Sequence, residues 1–484
     1  MATSKSNFWS SPLTRSRITS DDVKMPEMLL GYFIGPFGAL LSSGIFTSIL
    51  QNYFTDVLKL DLGFLTTLQL ISTVLIVAAN LVVGQLIERT RALAGKARPW
   101  ILLSALTLSV ASVLMFVVPF EGAAKMVWIA VAYNLYYAVA YPIYNTANST
   151  MIPVSTRDSK QRGALASFTN IAGLGVMGCG SMVFPMLVSF ALKEDQHLWF
   201  VAMLAVAIFS AITIYLQFLF TRERVTEEGR GEDAAPKKAA SLGEQLKAVT
   251  GDRMWWIVMA FYMLFQWSGA MKNGSMSYYC KWVLDNTFFG NADAWGASQS
   301  LLSIMGAIPM AVAAVFVVPW PTSSVSVWSA AAYAAGAVGG IIAGLGGGNI
   351  VPVAIGVASS VWFFPGLLSD PGMIADVIDH IEYRTGIRTD GLTMSIYSSL
   401  MVAATPICNS IFSAMLNGSG YNQAADVALG TAAQTASVQT AISVSYIWVE
   451  TVCYIIGAVI LILFWTVEKN LPEEQKAIKE RSKK

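Results

Sequence analysis

Apolar windows of about 20 residues, each long enough to cross a hydrocarbon core, recur twelve times along the chain. They fall at roughly 27–55, 63–86, 99–120, 125–153, 163–192, 198–220, 254–284, 295–320, 327–347, 350–374, 392–416 and 443–467. The connections between them are short except for Thr221–Asp252. Its core, EEGRGEDAAPKKAAS, has the charge and small-residue content of a disordered chain, and the following SLGEQLKAV has a helical pattern. The pattern predicts an all-α polytopic membrane protein of twelve transmembrane helices in two six-helix halves. The expected divisions are a tail at 1–24, a bundle at 25–220, a linker at 221–252, a second bundle at 253–467 and a tail at 468–484. A weak internal echo supports two halves: YFTDVLKL (53–60) closes span one and YYCKWVLD (278–285) closes span seven.

Composition agrees with that reading. The 484 residues are 55% hydrophobic and only 13% charged, where a soluble domain carries about 25% charge. Residues 1–24 lack an apolar h-region, so the first span is expected to act as the targeting element. Cys179, Cys280, Cys408 and Cys453 all lie in apolar stretches and there are two histidines, so neither a disulfide framework nor a histidine-rich metal site is expected. No H-E-x-x-H, nucleophile elbow or P-loop occurs, which weighs against an enzyme. A net charge of +1 singles out no partner, and no nucleic acid is expected.

The placement of charge sets orientation. With the N-terminus inside, 26 of the 31 Lys and Arg residues fall on the inner side, four (Lys59, Lys125, Lys193, Lys281) fall outside, and Lys272 lies within a span. The positive-inside rule then puts both termini in the cytoplasm, and a cytoplasmic (inner) membrane is the expected location.

Lys272 is the residue that composition does not explain. At about 1.5 Å per residue it lies about 28 Å from Arg253 and about 20 Å from Asp285, far from water at either end. An intramembrane charge costs roughly 2.5 kcal/mol or more and by default marks a pathway or a paired charge; snorkelling to an interface is the plain alternative. Its helical face carries Ser268, Gly269, Ser275, Met276 and Tyr279, a small and polar surface suited to a cavity. Of the 30 acids, Asp370, in WFFPGLLSDPG of span ten, and Glu450, in span twelve, fall within the membrane. Glu450 sits about 10 Å from the outer end of its span, at a depth comparable to that of Lys272. A pairing would lower the cost of both charges, while Asp370 is a candidate protonatable group or helix cap.

Span four supplies a second polar face. Asn134, Tyr137, Tyr141, Asn145 and Asn148 recur at helical spacing in an otherwise apolar segment. Amides and phenols of this kind bond hydroxyl-rich ligands, and the competing role is polar adhesion between helices.

Three motifs carry a family resemblance. GQLIERTRALAGKARPWIL (84–102) resembles the cytoplasmic 2–3 loop of the glycoside-pentoside-hexuronide symporters, the melibiose-permease type of major facilitator. IADVIDHIEYRTGIRTDGL (374–392) is similar to that family's signature after span ten, and GYFIGPFGALLSSGIFTSILQNYFTDVL (31–58) to its opening helix. The resemblance implies the major facilitator fold and a transporter of a sugar, glycoside or sugar acid working by alternating access. It also implies that span four lines the cavity, joined by Trp362 and Tyr397. Expected substrate residues are thus Lys272, Tyr137, Tyr141, Asn145, Asn148, Ser275, Tyr279, Trp362 and Tyr397, with Lys272, Asp370 and Glu450 as coupling charges. Arg89, Arg98, Asp376, Asp379, Glu382, Arg384 and Arg388 are expected to form exposed, breakable pairs that gate the cytoplasmic side.

The chain departs from the family where cations bind. Aligned on Gly84, the coupling aspartates of span two read Ile76 and Asn80; the acid of span one falls at Leu40, that of span four at Asn145, and the lysine of span eleven at Val402. Sodium coupling is therefore not carried over. A proton is the more probable coupling ion, no cofactor or metal is expected, and the protein is expected to act as a monomer in the lipid bilayer on a small-molecule substrate. Two other functions fit the sequence: transport of an amphipathic molecule such as a steroid or lipid, and a non-transporting sensor on the same fold.

Overall fold

The computed structural model describes residues 11, 13–156, 158–225, 242–316, 325–361, 370–386, 390–464, 473–474 and 476–477, and within these every one of the twelve windows is largely helical. The first six spans are α1 (Glu27–Val57), α2 (Leu62–Arg89), α3 (Arg98–Leu114), α4 (Gly122–Ser155), α5 (159–192) and α6 (Gln196–Leu219). A short α7 (Leu242–Thr250) precedes span seven, α8 (Arg253–Trp282). There follow α9 (Trp295–Phe316), α10 (Val325–Leu345), and span ten as α11 (Ile350–Val361) and α12 (Asp370–Thr385). Spans eleven and twelve are α13 (Asp390–Ser419) and α14 (Ala436–Phe464). No strand occurs among the described residues. The core of the long linker lies outside them, as do Trp362 and Arg388 and the side chains of Asp370 and Asp376.

Helix starts are set by acids. Asp61, Asp158, Asp195 and Asp252 accept bonds from backbone N–H groups in the first turns of α2, α5, α6 and α8, satisfying donors that have no partner within the helix. Large apolar side chains stand outward in helical stripes, such as Val201, Leu204, Ile208 and Ile212 on α6 and Val452, Ile455, Ile456 and Val459 on α14. Such faces would be a liability in water and suit lipid. Among the described residues, seven helices are by length and composition apolar enough to cross a membrane. The 30-residue α8 is not among them, because its Gln, Ser, Asn, Gly and Lys residues dilute its apolar content.

The chain divides into two compact units, 1–184 with 192–235 and 185–191 with 236–484. In the first, α1 packs against α5 and α6, and α3 against α6. Tyr53, Phe116 and Trp199 meet at its centre, with ring centroids 4.5 and 5.1 Å from Tyr53. In the second, α8 packs against α13 and α14, and α10 against α11 and α14. The two echoed sequence segments do the same job in their own units: Tyr53 and Phe54 in one, Tyr278 and Tyr279 in the other, are fully buried.

Contact between α10 and α14 depends on glycine. Gly336, Gly340 and Gly344 form one ridge, and a Cβ there would meet Tyr454 at 2.3 Å, Thr451 at 2.0 Å and Trp448 at 2.5 Å respectively. Small residues at this spacing let helix backbones approach closely in a membrane.

Candidate functional site

Among the described residues of the second unit, two clefts lie on different sides of α8. One is lined by Met259, Tyr262, Met263, Gln266 and Trp267 of α8 and by Tyr397, Leu400 and Met401 of α13. The Tyr262 and Tyr397 hydroxyls are hydrogen-bonded to each other and the rings lie edge to face at 4.4 Å. Beside them the Gln266 amide and the Trp267 indole N–H are half-buried and make no side-chain hydrogen bond among the described residues. A half-buried amide with unspent donors and acceptors next to aromatic faces is what a hydroxylated ligand requires. Tyr397 was expected from the sequence; Tyr262, Gln266 and Trp267 were not. Their signal in the sequence is the i, i+4 spacing of Tyr262–Gln266 and Met263–Trp267.

Lys272 faces the other way. Its Nζ donates to Glu450 Oε2 at 2.6 Å and lies 5.8 Å from the centre of the Tyr446 ring, while the Tyr454 hydroxyl donates to Glu450 Oε1 at 3.0 Å. The rest of this cleft is Gly339, Gly340, Ala343, Gly356, Val357 and Ile447. Lys272 therefore does not line the cleft that holds Tyr397, contrary to the expected grouping, and its charge already has a counter-charge. Nor are Ser275 and Tyr279 turned to a ligand. Ser275 is buried and donates to the Met271 carbonyl, and Tyr279 donates to the Gly347 carbonyl at 3.0 Å and stacks on Tyr446. Of the small face read from the sequence, Lys272 and Tyr279 meet α14 at Glu450 and Tyr446, and Met276 meets Ser303 of α9.

In the first unit the polar face of α4 is divided by a wide, π-type turn at Leu135–Ala140. Such turns shift helical register locally and are frequent at functional sites. Asn148, beyond the turn, is buried and accepts from Gln217 of α6 at 2.7 Å, and Gln217 in turn accepts from Tyr144 at 2.8 Å. Its amide oxygen thereby joins α4 to α6. Tyr141 lies against Ser43 of α1. Asn145 is half-buried and, with Tyr137, makes no side-chain hydrogen bond among the described residues. Asn148→Ala is expected to lower thermal stability by about 1–3 kcal/mol, the cost of an unpaired buried amide, with ligand affinity preserved. Asn145→Ala is expected to do the reverse, and thermal unfolding with and without sugar separates the two.

The cation positions of the resembled family are spent locally. Ile76 is buried, and the Asn80 amide donates to the Ile76 carbonyl at 2.8 Å.

Of the expected gate residues, Arg89 is exposed and Arg98 is buried. It donates to the carbonyls of Phe218 (2.9 Å) and Ala94 (3.2 Å) and stacks on the Phe218 ring. The start of α3 is held by Glu223, whose carboxylate accepts from the backbone N–H groups of Lys96, Ala97 and Arg98 at 2.8–2.9 Å. Gly95, at φ +118°, leaves room for that carboxylate. Next to it Arg224 forms a two-pronged pair with Glu27 (2.7 and 3.1 Å). Thr221–Val225 is thus an anchored end of the bundle, although the sequence suggested a linker from 221 onward. In the second unit Arg384 bonds Asp252 at 2.6 Å, the acid that also caps α8. His380 stands 3.7 Å from Asp252 and 3.0 Å from Glu474. Asp379 and Glu382 are half-buried on the same helix.

Residues 31–467 match the family model described as MFS/sugar transport protein. The isoprimeverose transporter of Lactiplantibacillus pentosus is 26% identical over 461 residues, covering 91% of this chain and 89% of that protein. The inner membrane symporter YicJ of Escherichia coli (strain K12) is 24% identical over 451 residues, covering 89% and 90%. Among solved structures, the nucleoside transporter NupG is similar with a TM-score of 0.60 at 14% identity, over 92% of this chain and 100% of that one. Likeness at that identity speaks to fold alone.

Proposed function

The chain belongs to the MFS/sugar transport protein family, and from that premise we propose that it carries a neutral sugar or glycoside across the cytoplasmic membrane by alternating access. The observation that carries the substrate class is the α8–α13 cleft, where the unspent amide of Gln266 and the Trp267 indole stand beside the Tyr262–Tyr397 pair. Amides bond hydroxyls in both directions, and aromatic faces suit the C–H side of a sugar ring. On the first unit, Tyr137 and Asn145 offer the same chemistry. A neutral substrate is favoured over a sugar acid because the Lys272 ammonium is already compensated by Glu450. Kinship with an isoprimeverose transporter points the same way. A steroid or lipid would leave the Gln266 amide without partners.

The test is uptake of labelled isoprimeverose, lactose and a glucuronide by the reconstituted protein. Isoprimeverose or lactose is expected to enter and the glucuronide to be excluded; uptake of the glucuronide alone would sink the neutral-substrate reading. Gln266→Ala is expected to weaken sugar binding by about 1–3 kcal/mol by leaving a ligand hydroxyl unpaired.

The same reading includes a cytoplasmic location for both termini and the linker, resting on the lysine and arginine asymmetry. A cysteine at Ser241 should stay unlabelled by an impermeant maleimide in intact cells. It also includes a transporter that works as a monomer without cofactor and without sodium. Replacing sodium by choline is expected to leave uptake unchanged, because Ile76 and Asn80 offer no carboxylate.

A further inference from the structure

We propose that the Lys272–Glu450 pair is the proton-coupling site of this transporter, with Glu450 taking up the proton and Lys272 standing as the built-in cation it exchanges for. The inference rests on the transport reading above and adds the coupling ion and the residues that handle it.

Four observations carry it. First, the pair lies near the middle of its spans, and a lone buried ion pair is a poor device for stability, since well-packed apolar replacements are often as stable or more so. An ionisable pair at that depth is functional by default. Second, the pair is not sealed: the Lys272 and Glu450 side chains keep 20% and 11% of their exposure and line one cleft together with Gly339, Gly340 and Gly356.

Third, each charge has a second partner that survives the loss of the first. Glu450 keeps the Tyr454 hydroxyl on Oε1, and the Lys272 ammonium keeps the face of Tyr446, an interaction that suits a desolvated cation. Fourth, Tyr446 sits in a wide π-type turn at Val444–Trp448, immediately before Glu450, a local geometry found often at functional sites.

The step balances simply. A proton adds to Glu450 Oε2 and the Nζ–H···O bond opens. The ammonium keeps its own protons and shifts toward the Tyr446 ring. When the carboxylic acid gives the proton back to water, Lys272 recaptures the carboxylate. The pair ties α8 to α14, so opening and closing it biases helices that also carry Gln266 and Trp267. The other titratable groups around Glu450 among the described residues are Tyr279 and Cys280 on α8, Tyr333 on α10, Cys408 on α13, and Tyr446, Cys453 and Tyr454 on α14. None of them is a second acid, and the described lining from α10 and α11 carries no charge.

The experiment compares the wild type with the neutral double variant Lys272→Gln/Glu450→Gln, which avoids stranding one charge, in proteoliposomes loaded with labelled isoprimeverose. A gradient of one pH unit supports about tenfold accumulation for one proton per sugar. The wild type is expected to accumulate, and the double variant to exchange sugar at equilibrium yet equalise it across the membrane. A sugar-free arm records the infrared carboxyl stretching band of purified protein through an acid–base titration; Glu450→Gln is expected to remove a titrating band. Accumulation by the double variant equal to wild type, or no band that depends on Glu450, overturns the assignment. If the band titrates but the wild type neither exchanges nor accumulates isoprimeverose, the proton site stands and the sugar reading falls.

Discussion

Replacing Arg224 by alanine is expected to destabilise the protein by about 3–5 kcal/mol, the cost of leaving a buried charge without its partner. The guanidinium donates to both oxygens of Glu27, which has no exposed surface, and to the carbonyls of Ser20, Asp22 and Ser155. Removing it strands a carboxylate and several carbonyls at the junction of the N-terminal tail, α1, α4 and the end of α6. Arg224→Lys keeps the charge but not the planar fork, so its loss should be smaller. The double change Glu27→Gln/Arg224→Gln should recover part of the stability, since no charge is then stranded. Thermal unfolding of the detergent-purified protein measures all three. An Arg224→Ala midpoint equal to wild type would show that the pair is not holding that end of the bundle.

The second large effect is expected at Gly340. A Cβ on this residue would stand 2.0 Å from Thr451 Oγ1, and its neighbours on the ridge, Gly336 and Gly344, are packed as tightly against Tyr454 and Trp448. Gly340→Leu therefore has to push α14 away from α10. Overpacking of a filled core costs about 1–3 kcal/mol, sometimes more, and here it also moves the helix that carries Glu450. Loss of folded yield, or a strongly lowered unfolding midpoint, is the expected result. Thr451→Gly in the same chain should restore part of it by returning the space. A fully stable Gly340→Leu would mean that the seam is looser than its distances imply.

Much of the architecture was legible in the chain. Twelve apolar windows, one long polar connection and the lopsided distribution of lysine and arginine required a polytopic helical bundle, because a span buries its backbone polar groups only by being a helix. The GKARPW and ADVIDHIEYRTGIR segments pointed to the sugar-transporter family that the whole-chain match establishes. Helical rise put both Lys272 and Glu450 inside their spans, and the structure joins them at 2.6 Å.

Azimuth was not legible. The sequence placed Lys272, Ser275, Tyr279 and Tyr397 in one ligand surface, whereas Lys272 and Tyr279 meet α14, Ser275 bonds its own helix, and Gln266 and Trp267 stand in the cleft with Tyr397. On a helix that is partly polar all round, periodicity does not say which face meets which neighbour; packing decides. The wide turn in α4 shifted register inside a segment that looked straight, sending Asn148 to Gln217. Nor does a charged residue after a span announce that it is buried. Glu223 and Arg224 look like the start of a hydrophilic linker, yet one caps α3 through three backbone N–H groups and the other locks Glu27. The sequence alone determined what has to lie in the membrane and at what depth, since those follow from hydrophobicity and a fixed rise per residue. Which polar atoms remain unbonded was decided only in three dimensions, because that depends on partners far away in the sequence, such as Gln217 for Asn148 and Glu450 for Lys272.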